Sequence, residues 1–192
     1  MLLPLPRSQN SVVSSALSSL FQKSLALKES QRFKTAADEW VSPCEIARDL
    51  NWVYWRPLVQ THPVSFSGLA NAVSAPIHPD ISAFYSSFWS GPIETMSREG
   101  RVSLIQLWNE KDFERLIGNL VGHYLEQSRA GRQFTVFIAT TEPDSELFLS
   151  IDNSSGQVML EEPGKSPIRK IEENITNFLN RLEAIDSEPV IY

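Results

Sequence analysis

From 11 to 27 the apolar residues Val12, Val13, Ala16, Leu17, Leu20, Phe21, Leu25 and Leu27 recur at three- and four-residue steps. That spacing predicts a helix with one buried face. The polar, mixed-charge stretch 28–38 reads as a helix end and a loop, and Pro43 argues against a continuous helix beyond it. Aromatic and β-branched residues fill 51–57 up to Pro57, the pattern of a short strand at or near a sheet edge. Residues 60–79 read as irregular, with one helical stretch at 69–73. After them Ile81, Phe84, Tyr85, Phe88 and Trp89 space out a one-sided helix, with Asp80 placed to cap or charge its N-terminus and Gly91-Pro92 ending it.

Two strands, 92–98 and 101–108, are predicted to form a hairpin through Glu99-Gly100. Asn109 or Asp112 caps a long helix reaching 127 or 129, whose Phe113, Leu116, Ile117, Leu120, Val121 and Tyr124 share a face. The apolar run 134–140 suits a buried central strand, and 147–151 with 157–160 suit a second hairpin across 152–156. Ile171, Ile175, Phe178, Leu179 and Leu182 predict a closing helix over 168–185. Helices and antiparallel strands in mixed order imply an α+β fold, a mixed, largely antiparallel sheet packed against several helices.

The chain has 192 residues, 42% of them hydrophobic, which suffices for one core, so a single domain over 1–192 is expected, with 1–10 a flexible N-terminal extension. Its net charge of -6 and pI of about 5.1 disfavour nucleic acid, which needs a concentrated basic surface. Pro4 and Pro6 interrupt the leading leucines, so no export signal is read, and no apolar run is long enough for a membrane span. Membrane association is therefore expected to be peripheral.

Chemistry is sparse. His62, His78 and His123 lack the helical spacing that brings two imidazoles to one metal. No serine sits in a nucleophile elbow and no glycine-rich phosphate loop is present, so neither cofactor nor metal is expected. A small hydrolase would have to use Cys44 or His123; the alternative for each is a buried thiol and a hydrogen-bonded helix residue. Trp52, Tyr54, Trp55, Phe84, Tyr85, Phe88 and Trp89 form an aromatic cluster that should be mostly core. Within it Trp55 and Tyr85 are expected to reach the surface. Between Gln133 and Gly164 stand Glu142, Asp144, Glu146, Asp152, Glu161 and Glu162 with no lysine or arginine, a local excess of negative charge that would attract a basic partner or merely be a solvated face.

The motifs Ser42-Pro43-Cys44, Val53-Tyr54-Trp55-Arg56-Pro57, Ala83-Phe84-Tyr85, the run from Leu104 to Phe113, Asn119-Leu120-Val121-Gly122-His123, Phe137-Ile138-Ala139-Thr140, Asn153-Ser154-Ser155-Gly156 and Asn177-Phe178-Leu179-Asn180 together resemble the Syd family of bacterial SecY-interacting proteins. The resemblance spans about 42–182. It implies a SUKH-like α+β protein without enzyme activity, in the cytoplasm and peripherally on the cytoplasmic side of the inner membrane. Its implied role is to bind the cytosolic loops of SecY as a quality-control or negative regulatory factor of translocation. Those loops are basic, as cytoplasmic loops of membrane proteins are, so the acidic excess has the right sign. Glu142, Asp144 and Glu146 are the expected contacts, with Glu45, Glu110 and Asp112 contributing from matched segments and Trp55 and Tyr85 as the floor of a groove. A toxin-binding immunity protein of the SUKH type is the alternative that also works without catalysis.

Overall fold

The computed structural model describes residues 11–186; the expectation for 1–10 lies outside them. Helix α1 (Val12–Ala26) opens the described chain, capped by the Ser11 hydroxyl, which accepts from the Ser14 N–H at 3.1 Å. It buries Val13, Ala16, Leu17, Leu20 and Phe21. Next come three short strands, β1 (Phe33–Ala36), β2 (Glu45–Arg48) and β3 (Trp52–Trp55), which form an antiparallel sheet in the order β1-β3-β2. Two expectations are corrected here. The stretch read as loop contains β1, and the strand placed near an edge is the middle one. The reason is tertiary: Phe33 pairs with Trp55 across the ladder and their rings stack at 4.4 Å, which organises a segment too polar to signal a strand alone.

Strand β4 (Leu58–Val59) and helix α2 (Ser67–Val73) follow, then α3 (Pro79–Ser86) and β5 (Phe88–Trp89), which pairs with β4. The predicted helix therefore stops at Ser86. Phe88 and Trp89 are both buried, and the buried Gln60 amide donates to the carbonyls of Tyr85 and Phe88 at 2.9 and 3.0 Å, holding the helix end and the strand together. The α3 cap is His78, whose ring accepts from the Asp80 N–H at 3.2 Å; Asp80 adds its charge within the first turn.

The main sheet follows: β6 (Ile93–Ser97), β7 (Gly100–Leu104), helix α4 (Glu110–Arg129), β8 (Thr135–Thr140), β9 (Phe148–Asp152), β10 (Val158–Glu161), β11 (Arg169–Glu172), helix α5 (Ile175–Arg181) and β12 (Glu183–Ala184). Its order is β11-β10-β9-β8-β7-β6-β12, antiparallel at every pair, with β8 in the middle as its apolar run predicted. Both predicted hairpins are present. The predicted closing helix is instead strand, helix, strand, because Ile171 is already committed to the sheet and Asn174 starts α5 as its cap. Asn109 caps α4, accepting from the Asp112 N–H at 2.9 Å.

Period-two alternation separates the helices. His123 of α4 stands edge-on to Phe137 and Phe148, while Leu149, the next residue of β9, lines a shared hollow with Ile171 of β11 and Phe178 of α5. Helices α4 and α5 thus cover opposite faces of the sheet, and α1 packs against both α3 and α5. One continuous core joins these layers to the small sheet through Phe33 and Trp55. The fold is α+β.

Candidate functional site

The acidic segment is not one surface. Glu161 is buried at 1% exposure on β10, where the Ser150 hydroxyl donates to it. Asp152 is consumed by its own turn, accepting from the N–H groups of Ser154 and Ser155 at 2.9 and 2.8 Å. Glu162 pairs with Lys165 at 2.7 Å. What remains is the β8–β9 connection, where Glu142, Asp144 and Glu146 are exposed. Glu142 spends one oxygen on the Arg101 N–H at 2.9 Å, which anchors the connection beside the start of β7; among the described residues Asp144 and Glu146 have no ion-pair partner.

The other nominated carboxylates lie elsewhere. Ser42 donates to the Trp108 carbonyl at 2.5 Å, Asn109 to that of Val41 at 2.8 Å, and the Trp108 indole to that of Trp40 at 3.0 Å. These bonds tie the 40–45 segment to the start of α4. Glu45 and Asp112 serve this junction, and exposed Glu110 stands on it. Glu45 accepts from the Ser42 N–H at 2.8 Å and from Arg48 at 2.8 Å. Burial alone would raise its pKa, but Arg48 and the Ser42 N–H outweigh this and hold its carboxyl below the usual range. Asp112, only 8% exposed, accepts from the Trp108 N–H at 2.9 Å and from Arg115 at 2.6 Å. Glu142 contacts Arg101 near the start of β7, whereas this junction follows its other end, and β7 itself spans about 13 Å at roughly 3.3 Å per residue step. The structure therefore does not gather the nominated residues into one patch.

Trp55 and Tyr85 were expected to reach the surface and do not: they are 2% and 0% exposed. Trp55 is clamped between Phe33 and Trp108, and the Tyr85 hydroxyl donates to the Phe137 carbonyl at 2.6 Å while burial raises its pKa. Their polar atoms suggested exposure from sequence, but an internal carbonyl satisfies the phenol, and the Trp55 indole N–H is buried with no partner among the described residues.

Cys44 and His123 have structural surroundings. Burial pushes the Cys44 thiol up to about 12, and its bonding neighbour is the Ser42 hydroxyl at 3.1 Å. His123 faces the Thr135 hydroxyl at 3.2 Å, and burial lowers its pKa against the opposing charges of Glu161 and Glu126. Beside it Gln127 donates to Thr135 Oγ1 at 2.8 Å and accepts from the Thr135 N–H at 3.0 Å, so these groups fasten α4 to β8. Among the described residues no helix is long and apolar enough to cross a membrane.

Sequence reasoning missed one feature at the α4 junction. A cavity of about 230 Å³ opens there, lined by Ile105, Gln106, Leu107, Asp112, Arg115, Leu116, Asn119 and Phe137. Only the polar Gln106 between apolar Ile105 and Leu107 could have signalled it.

The family described as "Syd protein (SUKH-2)" matches residues 14–184. A protein named "Protein Syd" from Pseudoalteromonas atlantica is 38% identical over 151 residues, covering 76% of this chain and 80% of that relative. Another of that name from Hahella chejuensis is 39% identical over 144 residues, with 74% of each chain covered. The Yersinia enterocolitica protein of that name is 33% identical over 180 residues, covering 92% of this chain and 98% of its own length.

Proposed function

From the finding that the chain belongs to the Syd family, we propose that it is a non-enzymatic binding protein. In this reading it docks on the basic cytosolic loops of SecY and acts as a quality-control or negative regulatory factor of translocation, peripheral to the cytoplasmic side of the inner membrane. The observation that carries the docking mode is the β8–β9 connection, whose Asp144 and Glu146 are exposed and, among the described residues, without ion-pair partners. Many basic side chains are meanwhile paired internally, Arg101 with Glu94, Arg181 with Glu99 and Glu172, and Arg132 with Glu126. Internal pairing removes positive charge from the surface and leaves the unpaired carboxylates to set the field.

Exposed pairs contribute about 0–1 kcal/mol each, so several must act together and the affinity is modest and salt-sensitive. The surroundings of Cys44 and His123 support a binding role, since the thiol is held protonated and bonded to a hydroxyl.

The test is binding of the purified chain to SecYEG in nanodiscs at low and high salt, beside a variant with Glu142, Asp144 and Glu146 changed to Gln. Saturable binding that weakens with salt and in the variant supports the reading. Binding indifferent to both moves the contact to an apolar surface, and no binding at all sinks it and favours a toxin as the partner.

A further inference from the structure

We propose that the outer face of the small sheet rests on an anionic lipid bilayer, with the β2–β3 turn entering the headgroup layer. Alternation along β3 defines that face. Val53 and Trp55 are 1% and 2% exposed and point into the core, so Trp52, Tyr54 and Arg56 stand on the opposite side. The register adds Lys34 and Ala47, both paired with Tyr54, and Ala36, paired with Trp52. Arg32 joins them with its guanidinium 4.2 Å from the centre of the Tyr54 ring, and the Lys34 ammonium lies 3.8 Å from that of Trp52. Both rings stay half-exposed, while Lys34 and Arg56 are exposed.

The charge of this face is opposite in sign to that of the chain. Among the described residues Arg32, Lys34 and Arg56 have no ion-pair partner. Asp49 reaches the face, accepting from the Tyr54 hydroxyl at 3.4 Å, and sets one negative charge against three positive ones. Glu45 and Arg48 neutralise each other at 2.8 Å, and Arg48 pairs with Val53 on the core side, where it also holds the carbonyls of Asp38 and Trp40. Attraction to a charged surface is governed by groups within a Debye length, about 8 Å at physiological salt, and not by the net charge of -6.

The turn selects a bilayer from among anionic partners. Leu50, at its tip, is 97% exposed, and Ile46 on β2 is 54% exposed. The tip is held in place, since Asp49 Oδ1 accepts from the Asn51 and Trp52 N–H groups at 2.9 Å each. A leucine fixed in water gains free energy only when an apolar phase covers it, and a polynucleotide or an acidic peptide offers its charges no such phase. Tryptophan and tyrosine beside lysine and arginine are the side chains that settle at headgroup level. Three cations and one leucine give a weak, reversible contact that orients the chain on the surface without anchoring it.

Flotation of the full chain with vesicles tests this, using phosphatidylglycerol mixed with phosphatidylcholine against phosphatidylcholine alone. The parent is expected to bind the anionic vesicles at low salt, to leave them at high salt and to ignore the zwitterionic ones. Lys34→Gln combined with Arg56→Gln is expected to weaken binding about tenfold, and Leu50→Ser severalfold, with thermal melting as the folding control for these exposed positions. Parent binding to neither vesicle, or to both alike, overturns the proposal, as does a double variant that binds like the parent. Leu50→Ser binding like the parent overturns the entry of the turn. With SecYEG, the double variant should match the parent in detergent and fall below it in phosphatidylglycerol nanodiscs; a loss already present in detergent would assign these residues to a protein contact and overturn the lipid face. A parent that binds anionic vesicles but not SecYEG keeps this face and sinks the docking reading alone.

Discussion

A Cβ placed on Gly91 would lie 2.7 Å from Cζ2 of Trp55 and 3.0 Å from its Cε2. The indole is held on its other sides by Phe33 at 4.4 Å and Trp108 at 5.9 Å, so it has nowhere to withdraw. Gly91→Ala is therefore expected to cost about 1–3 kcal/mol, as overpacked cores do. A thermal melt checks it at about 2–4 °C per kcal/mol for a chain of this size. A melting point equal to the parent's would mean the small sheet yields freely.

Gln127 holds Thr135 by two hydrogen bonds, and neither residue is more than 2% exposed. Gln127→Leu leaves the Thr135 N–H buried and without its acceptor. The expected loss is about 1–3 kcal/mol in urea unfolding. Thr135→Val keeps that N–H bonded but leaves the buried Gln127 amide donor without its acceptor, so a loss of the same order is expected.

Acid should release the tie between α5 and the β6–β7 turn. Arg181 donates to Glu99 at 2.7 Å and Arg98 at 2.8 Å. Burial alone would raise the Glu99 pKa, but these guanidiniums and the Ser97 hydroxyl outweigh it and hold the carboxyl at about 2, against 4.5 for an ordinary glutamate. Because the folded pKa is the lower one, the stabilisation is present above about 4.5 and lost as pH falls toward about 2. The group is partly solvated, so Glu99→Gln should cost about 1 kcal/mol at neutral pH and progressively less below pH 4.5. Urea midpoints of both proteins across that range read the difference.

With its thiol near 12 rather than 9.0, Cys44 carries about a thousandfold less thiolate than an ordinary cysteine near neutral pH. Alkylation or disulfide exchange at pH 8 is expected to be slow in the folded protein and fast in denaturant. Rapid labelling of the native chain would reopen a nucleophilic role.

Where a segment's own pattern was strong enough to choose a structure, the sequence was readable. The 3.6-residue stripes of α1 and α4, the apolar run of β8 and the Asn153–Gly156 turn are local signals, and each appears where expected. Short elements were not legible that way. Strand β1 depends on Phe33 meeting Trp55, and β5 depends on Gln60 bridging Tyr85 and Phe88 from 25 and 28 residues away. No local window contains those partners.

For the candidate site, the sequence alone determined family membership, the sign of the charge and the exposed carboxylates of the β8–β9 connection. Only the tertiary structure decided which charges are available, because a carboxylate's role depends on the donors brought to it from elsewhere in the chain. Glu161 is closed under α4 with Ser150, Asp112 is bound at the head of α4, and Asp144 and Glu146 are left in water. The same packing turned Trp55 and Tyr85 inward: the Tyr85 hydroxyl finds the Phe137 carbonyl there, while Trp55 is held by its rings against Phe33 and Trp108. It also opened the cavity beside Gln106, a void between segments that no single segment encodes.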